Sequence, residues 1–147
     1  MKAYETNEVQ KDTVLFKEGF NDQFIYLIKS GEVINFKDHG GRIVPIKYCS
    51  DKDFVGVNDK FLTRCKSSAV TLSFTEVIPL PKKDVREIIE KSPKWINLLL
   101  HTLTERLEES INFVSEHSLT EDFDELNVNF SEEDEIRLRR ALKEFKK

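Results

Sequence analysis

Glycine is scarce and unevenly placed: all five glycines lie at or before Gly56, and no proline follows Pro93. A chain so poor in both, with 39% hydrophobic and 34% charged residues over 147 positions, is neither low-complexity nor disordered in composition. Cysteine is almost missing. Cys49 and Cys65 are not in a CxxC spacing and have no Cys/His cluster around them, which excludes a disulfide framework and a thiolate metal site. They are expected to be buried small hydrophobes in a reducing cytoplasm. No apolar run exceeds Leu98-Leu99-Leu100, far short of the roughly 20 residues of a membrane span. The N-terminus lacks the apolar stretch of a secretory signal. Basic residues are outnumbered, 23 Lys and Arg against 27 Asp and Glu. That balance argues against a phosphate-neutralising nucleic-acid surface. No G-x-S-x-G elbow, phosphate-binding glycine loop or Cys–His pair is present, so no enzyme, cofactor or metal is expected.

What is present divides the chain. Segments 13–16, 24–28, 33–36, 43–46, 68–72 and 77–80 are short and rich in Val, Ile, Phe and Tyr, and turn signals separate them. Short strands at about ten-residue spacing with glycine turns predict an all-β sandwich or barrel. Gly40-Gly41 between two strand runs predicts a tight hairpin. After Pro81 the period becomes helical: one helix over 82–91, then a second over 94–117, with Ser92 as its cap and Pro93 in its first turn. Ile96, Leu99, Leu100, Leu103, Leu107, Ile111 and Val114 make a long apolar stripe on the second.

The last 30 residues differ in charge. Positions 118–135 carry eight acidic and no basic side chains, and positions 136–147 carry six basic and one acidic. Ser131 with Asp134 predicts a capping box opening a final helix, whose charges match its macrodipole. The domain reading is therefore 1–117, with a barrel over about 8–81 and helices over 82–117, followed by an acidic, apolar linker and a helix over 118–147.

Several short motifs occur in a fixed order: Leu15-Phe16-Lys17-Glu18-Gly19, Tyr26-Leu27-Ile28-Lys29-Ser30-Gly31-Glu32-Val33, Asp53-Phe54-Val55-Gly56, Ser68-Ala69-Val70, Val77-Ile78-Pro79-Leu80-Pro81, Lys91-Ser92-Pro93 and Leu103-Thr104-Glu105-Arg106-Leu107. In this spacing the chain resembles cyclic nucleotide-binding domains of the catabolite-activator and kinase-regulatory type over about residues 8–112. The resemblance implies an eight-stranded jelly roll (a double-stranded β-helix) with C-terminal helices. It also implies a two-fold dimer packed through the long helix, whose seam would hold Leu99, Leu103, Leu107, Ile111 and Val114. The alternative is that all five belong to the molecule's own core.

The family's ligand is held by a phosphate-binding cassette: a Phe-Gly-Glu strand end, a short helix, then an Arg followed by Ser/Thr-Ala ten residues after the Glu. Gly56, Ser68 and Ala69 match it, and Asn58 falls inside it. The Glu position holds Val57 and the Arg position holds Ser67. Two lost hydrogen bonds to charged groups are worth about 3–6 kcal/mol, or on the order of 10²–10⁴ in affinity. Weak or absent binding of cyclic nucleotides follows. Arg64 and Lys66 are the candidate substitute cations; strand alternation turns Lys66 away from the position next to it. The helix-turn-helix that DNA-binding relatives carry has no room in 30 residues, so DNA is not an expected partner. A metal-dependent jelly roll of the cupin kind would need a His-x-His pair. His39, His101 and His117 do not supply one.

The expected function is a non-catalytic, cytoplasmic regulatory or scaffolding module that acts through protein–protein contacts and pairs with itself. The alternative is a sensor that holds a cyclic nucleotide atypically or takes another small molecule in the same pocket. A purely structural protein is a third reading. In the tail, Phe123, Leu126, Val128 and Phe130 are too apolar for a solvated linker. They are expected to dock on this fold, its dimer mate or another protein, with Arg137, Arg139 and Arg140 presented to an acidic partner.

Overall fold

The computed structural model describes residues 3–58, 63–117 and 130–145. Its strands are β1 (Asn7–Val9), β2 (Val14–Phe16), β3 (Phe24–Ser30), β4 (Val33–His39), β5 (Arg42–Cys49), β6 (Phe54–Val55), β7 (Ser68–Thr71) and β8 (Thr75–Pro81). The helices are α1 (Lys82–Glu90), α2 (Lys94–His117) and α3 (Glu132–Glu144). Two four-stranded antiparallel sheets, ordered β1-β8-β3-β6 and β2-β7-β4-β5, form the expected jelly roll.

The core follows from side-chain alternation. Val33 and Ala69 point between the sheets, where they join Leu15, Phe16, Ile28, Cys49, Val55, Cys65 and Val77. Their neighbours Ile34 and Val70 point to the outer face of the second sheet. That face is covered as well, because Leu138 and Ala141 of α3 pack on Ile34, Phe36, Ile43 and Val70, with Phe130 at the margin. A sheet buried on both faces explains why consecutive residues, Val33-Ile34 in β4 and Ala69-Val70 in β7, are all apolar and fully buried.

Turns are set where the backbone needs glycine. Gly40 and Gly41 have φ of 61° and 84° and close the β4–β5 hairpin between His39 and Arg42. Gly31, at φ 94°, lies under the β7–β8 turn; a Cβ there would sit 2.6 Å from the Phe74 carbonyl oxygen. Any side chain would displace that turn.

Ser131 accepts from the Asp134 amide and Asp134 accepts from the Ser131 amide, the expected capping box. The Ser92 hydroxyl donates to Ile88 O at 2.8 Å, at the C-terminal end of α1. Strand β1 was not anticipated, and β6 was placed only by the resemblance, as the strand end before Gly56. They have three and two residues and sit at opposite edges of one sheet, too short to show a period.

Candidate functional site

The site begins where β6 ends. The turn before it is fixed by Asp53, whose Oδ2 accepts from Ser50 N at 2.9 Å and whose Oδ1 lies 3.3 Å from Lys47 Nζ. These donors, the Ser50 amide first, hold its carboxyl below the usual carboxylate range. Gly56 follows at φ 91°, and a Cβ there would press on the Phe16 ring at 3.2 Å. Val57 and Asn58 come next; Asn58 is buried and its Nδ2 donates to Arg64 O at 3.2 Å.

The return segment is stitched to the β2–β3 turn. Gly19 N donates to Cys65 O, Cys65 N to Phe20 O and Asp22 N to Thr63 O, all within 2.9 Å. Ser68 Oγ accepts from Glu18 N at 2.9 Å. Asp22 is itself held by Tyr26, whose hydroxyl donates to Asp22 Oδ2 at 3.0 Å. Burial first, and then the Asp22 charge, push the Tyr26 phenol well above its ordinary value. Burial likewise raises the Cys49 thiol to about 11, which leaves it an unreactive member of the core.

Between the two segments lies a cavity of about 20 Å³. Gly56, Val57, Asn58, Lys66 and Ser67 line it from the cassette side, with Phe16 and Cys65 below. Two further residues, Lys82 of α1 and Glu108 of α2, complete the wall. Lys82 is 1% exposed. A space of this size holds about one water molecule.

The expected residues therefore separate. Gly56, Val57, Asn58 and Ser67 meet at the cavity. Ser68 and Ala69 are buried in the packing beneath it. Lys66 borders the cavity, because 65–67 precede β7 and strand alternation does not govern that side chain. Arg64 is exposed and does not border it; its backbone bridges to Asn21. Lys82 and Glu108 were missed. Nothing in a chain one-third charged marks one lysine as buried, and Glu108 lies about 50 residues from the cassette. Among the described residues no cluster of His, Cys, Asp and Glu has the makings of a metal site.

The long helix has a second surface. Leu99 and Leu103 are each 50% exposed and Leu107 is 42% exposed, so the barrel does not use them. The side chains of Ile111 and Val114 fall outside the described residues. Trp95 and Leu98 are exposed beside the stripe, and an open groove of about 410 Å³ runs between α1 and α2. In the tail, Phe123, Leu126 and Val128 fall outside the described residues, while Phe130 packs on the chain's own sheet. Arg137 lies 3.1 Å from Asp12 and Arg139 3.4 Å from Asp38, so both pair within the chain. Arg140 is exposed.

Residues 6–92 match the family described as Cyclic nucleotide-binding domain. The chain belongs to this family. No curated protein matches it. The catabolite activator protein of Thermus thermophilus is 24% identical with a TM-score of 0.61, covering 78% of this chain and 55% of its own. FixK2 from Bradyrhizobium japonicum is 14% identical with a TM-score of 0.64, covering 76% and 55%. The EAL enzyme Bd1971, in a form bound to cAMP and cyclic-di-GMP, is 20% identical with a TM-score of 0.63, covering 98% and 36%. The chain thus spans 36–55% of the length of these solved structures, and the likeness is one of fold. Among the described residues no helix is long and apolar enough to cross a membrane.

Proposed function

We propose that this chain is a non-catalytic regulatory or scaffolding module of the cyclic nucleotide-binding family. It works in the cytoplasm through protein–protein contacts, with a cassette that no longer takes a cyclic nucleotide. The observation that carries this reading is the cavity of about 20 Å³ at the cassette, against several hundred Å³ for a typical ligand pocket. The side chains at the mouth agree with it. Val57 puts an apolar group at the position of the family's ribose-binding Glu, and Ser67 stands in place of the phosphate-binding Arg. Glu108 brings a carboxylate to the same wall and offsets one of its two lysines, Lys66 and Lys82, which lowers the attraction for a free anion.

The exposed stripe Leu99, Leu103 and Leu107 supports self-association through α2, because large apolar faces on a monomer mark an interface. Ile111 and Val114 would extend the seam by sequence spacing. Lys66 at the cavity mouth favours the second reading, a sensor for an anionic ligand, provided that α2 moves Glu108 away.

Calorimetry with cyclic AMP and cyclic GMP at about 100 μM tests the proposal. The expected result is no heat of binding and no rise in melting temperature. Saturable binding with a Kd near 1 μM, about 8 kcal/mol of affinity, would replace the proposal with the sensor reading.

A further inference from the structure

The tail helix and the cassette are joined by two routes that meet at the β2–β3 turn. The first is polar. Arg139 of α3 donates to Asp38 Oδ2 at 3.4 Å and to the Gly41 carbonyl oxygen. Asp38 N donates to Glu18 Oε2 at 3.2 Å. Glu18 N donates to Ser68 Oγ at 2.9 Å, at the Ser-Ala that closes the cassette. The second route is aromatic. Phe145, at the C-terminal end of α3, meets Phe20 edge-on with ring centroids 6.1 Å apart. Phe20 O accepts from Cys65 N at 2.8 Å, in the segment that borders the cavity.

The turn between these contacts is also closed on itself: Phe20 N donates to Lys17 O at 3.1 Å, Lys17 Nζ stands 5.1 Å from the Phe20 ring centroid, and Asp22 accepts from Phe24 N and from the Tyr26 hydroxyl. Phe20 is nevertheless 43% exposed, and a Cβ at Gly19 would meet nothing within 4 Å. The four hydrogen bonds to 63–68 on one side and the contacts to β4 and α3 on the other tie the turn to the rest of the fold. Glu18 also lies 3.9 Å from Lys37, a half-buried pair whose length makes it weak.

We propose that α3 is a regulatory brace on the cassette. Docking of α3 on the second sheet holds the turn, and the turn holds residues 63–68 in their present conformation. Withdrawal of α3 therefore loosens the cassette, and any change in the cassette that displaces Ser68 or Cys65 weakens α3 docking by the same factor. The regulatory meaning rests on reading the described cassette residues, 56–58 and 63–69, as the module's controlling site. The coupling itself rests only on the contacts.

Amide hydrogen exchange on the full chain tests it without a ligand, so its outcome is separate from that of the nucleotide titration. In Arg139→Gln/Phe145→Ala, which leaves Leu138 and Ala141 in place, the amides of Gly19, Asp22 and Cys65 are expected to exchange about tenfold faster, within the usual range of coupling between sites. Leu27 and Ile78, paired in the opposite sheet, are expected to keep their wild-type rates. Unchanged exchange at Gly19, Asp22 and Cys65 overturns the proposal. If the double variant accelerates Leu27 and Ile78 as well, the single variant Phe145→Ala, which removes the Phe20 ring contact and leaves α3 whole, decides by the same two readouts. A loss of protection throughout the molecule in both variants also overturns it, because α3 would then be one more part of a single cooperative unit.

Discussion

At the residue scale, Asp53 shows how a short motif can be structural. It precedes Phe54-Val55-Gly56, and its carboxylate ties Lys47 and Ser50 into the turn that delivers β6 to the cassette. Its pKa is lowered in the folded state, so its contribution is present at neutral pH and is lost as the pH falls through that lowered value. Asp53→Asn is expected to cost about 1 kcal/mol at pH 7, since the group is partly exposed and one partner is a flexible lysine. Urea denaturation at about pH 7 and about pH 2.5 checks the sign: the gap between wild type and variant should close at the lower pH. A gap that persists in acid would assign the effect to packing. Val57 and Ser67 were legible in the sequence because a spacing rule exposes a missing side chain. Lys82 and Glu108 were not, because the wall they form comes from tertiary packing of two helices against the cassette.

At the element scale, the helices were easier to read than the strands. The period of α2 and the Ser131–Asp134 capping box depend on neighbours three or four residues away, which local sequence records. Strand pairing joins distant positions, so β1 and β6 left no local period, and β6 showed only as the motif that ends at Gly56. Exposure divides the stripe on α2 in a way that periodicity did not. Thr104 is buried, whereas Leu99, Leu103 and Leu107 stand out. Leu103→Lys is expected to yield a folded monomer from a dimeric wild type in light scattering, with its melting temperature at low concentration unchanged, because the lysine lies in solvent once the dimer is lost. A wild-type protein already monomeric at about 100 μM would leave that face to a different partner.

At the scale of the whole molecule, an all-β sandwich or barrel was legible from glycine turns and strand spacing and the jelly roll from the family resemblance, while the fold-back of the tail was left open among three docking surfaces. The second sheet settles α3: it has an apolar outer face, and Phe130, Leu138 and Ala141 cover it. Sequence alone cannot rank a chain's own sheet against a partner's, since the apolar chemistry is the same for both. The account's central claim is that the cassette is closed to cyclic nucleotides. The measurement that reaches it most directly is an amide-resolved NMR titration with cyclic AMP, followed at Gly56, Val57, Asn58, Ser67, Ser68 and Ala69. The account predicts that these resonances stay in place up to about 100 μM nucleotide. Saturable shifts concentrated at Gly56, Val57 and Ser67 would contradict it.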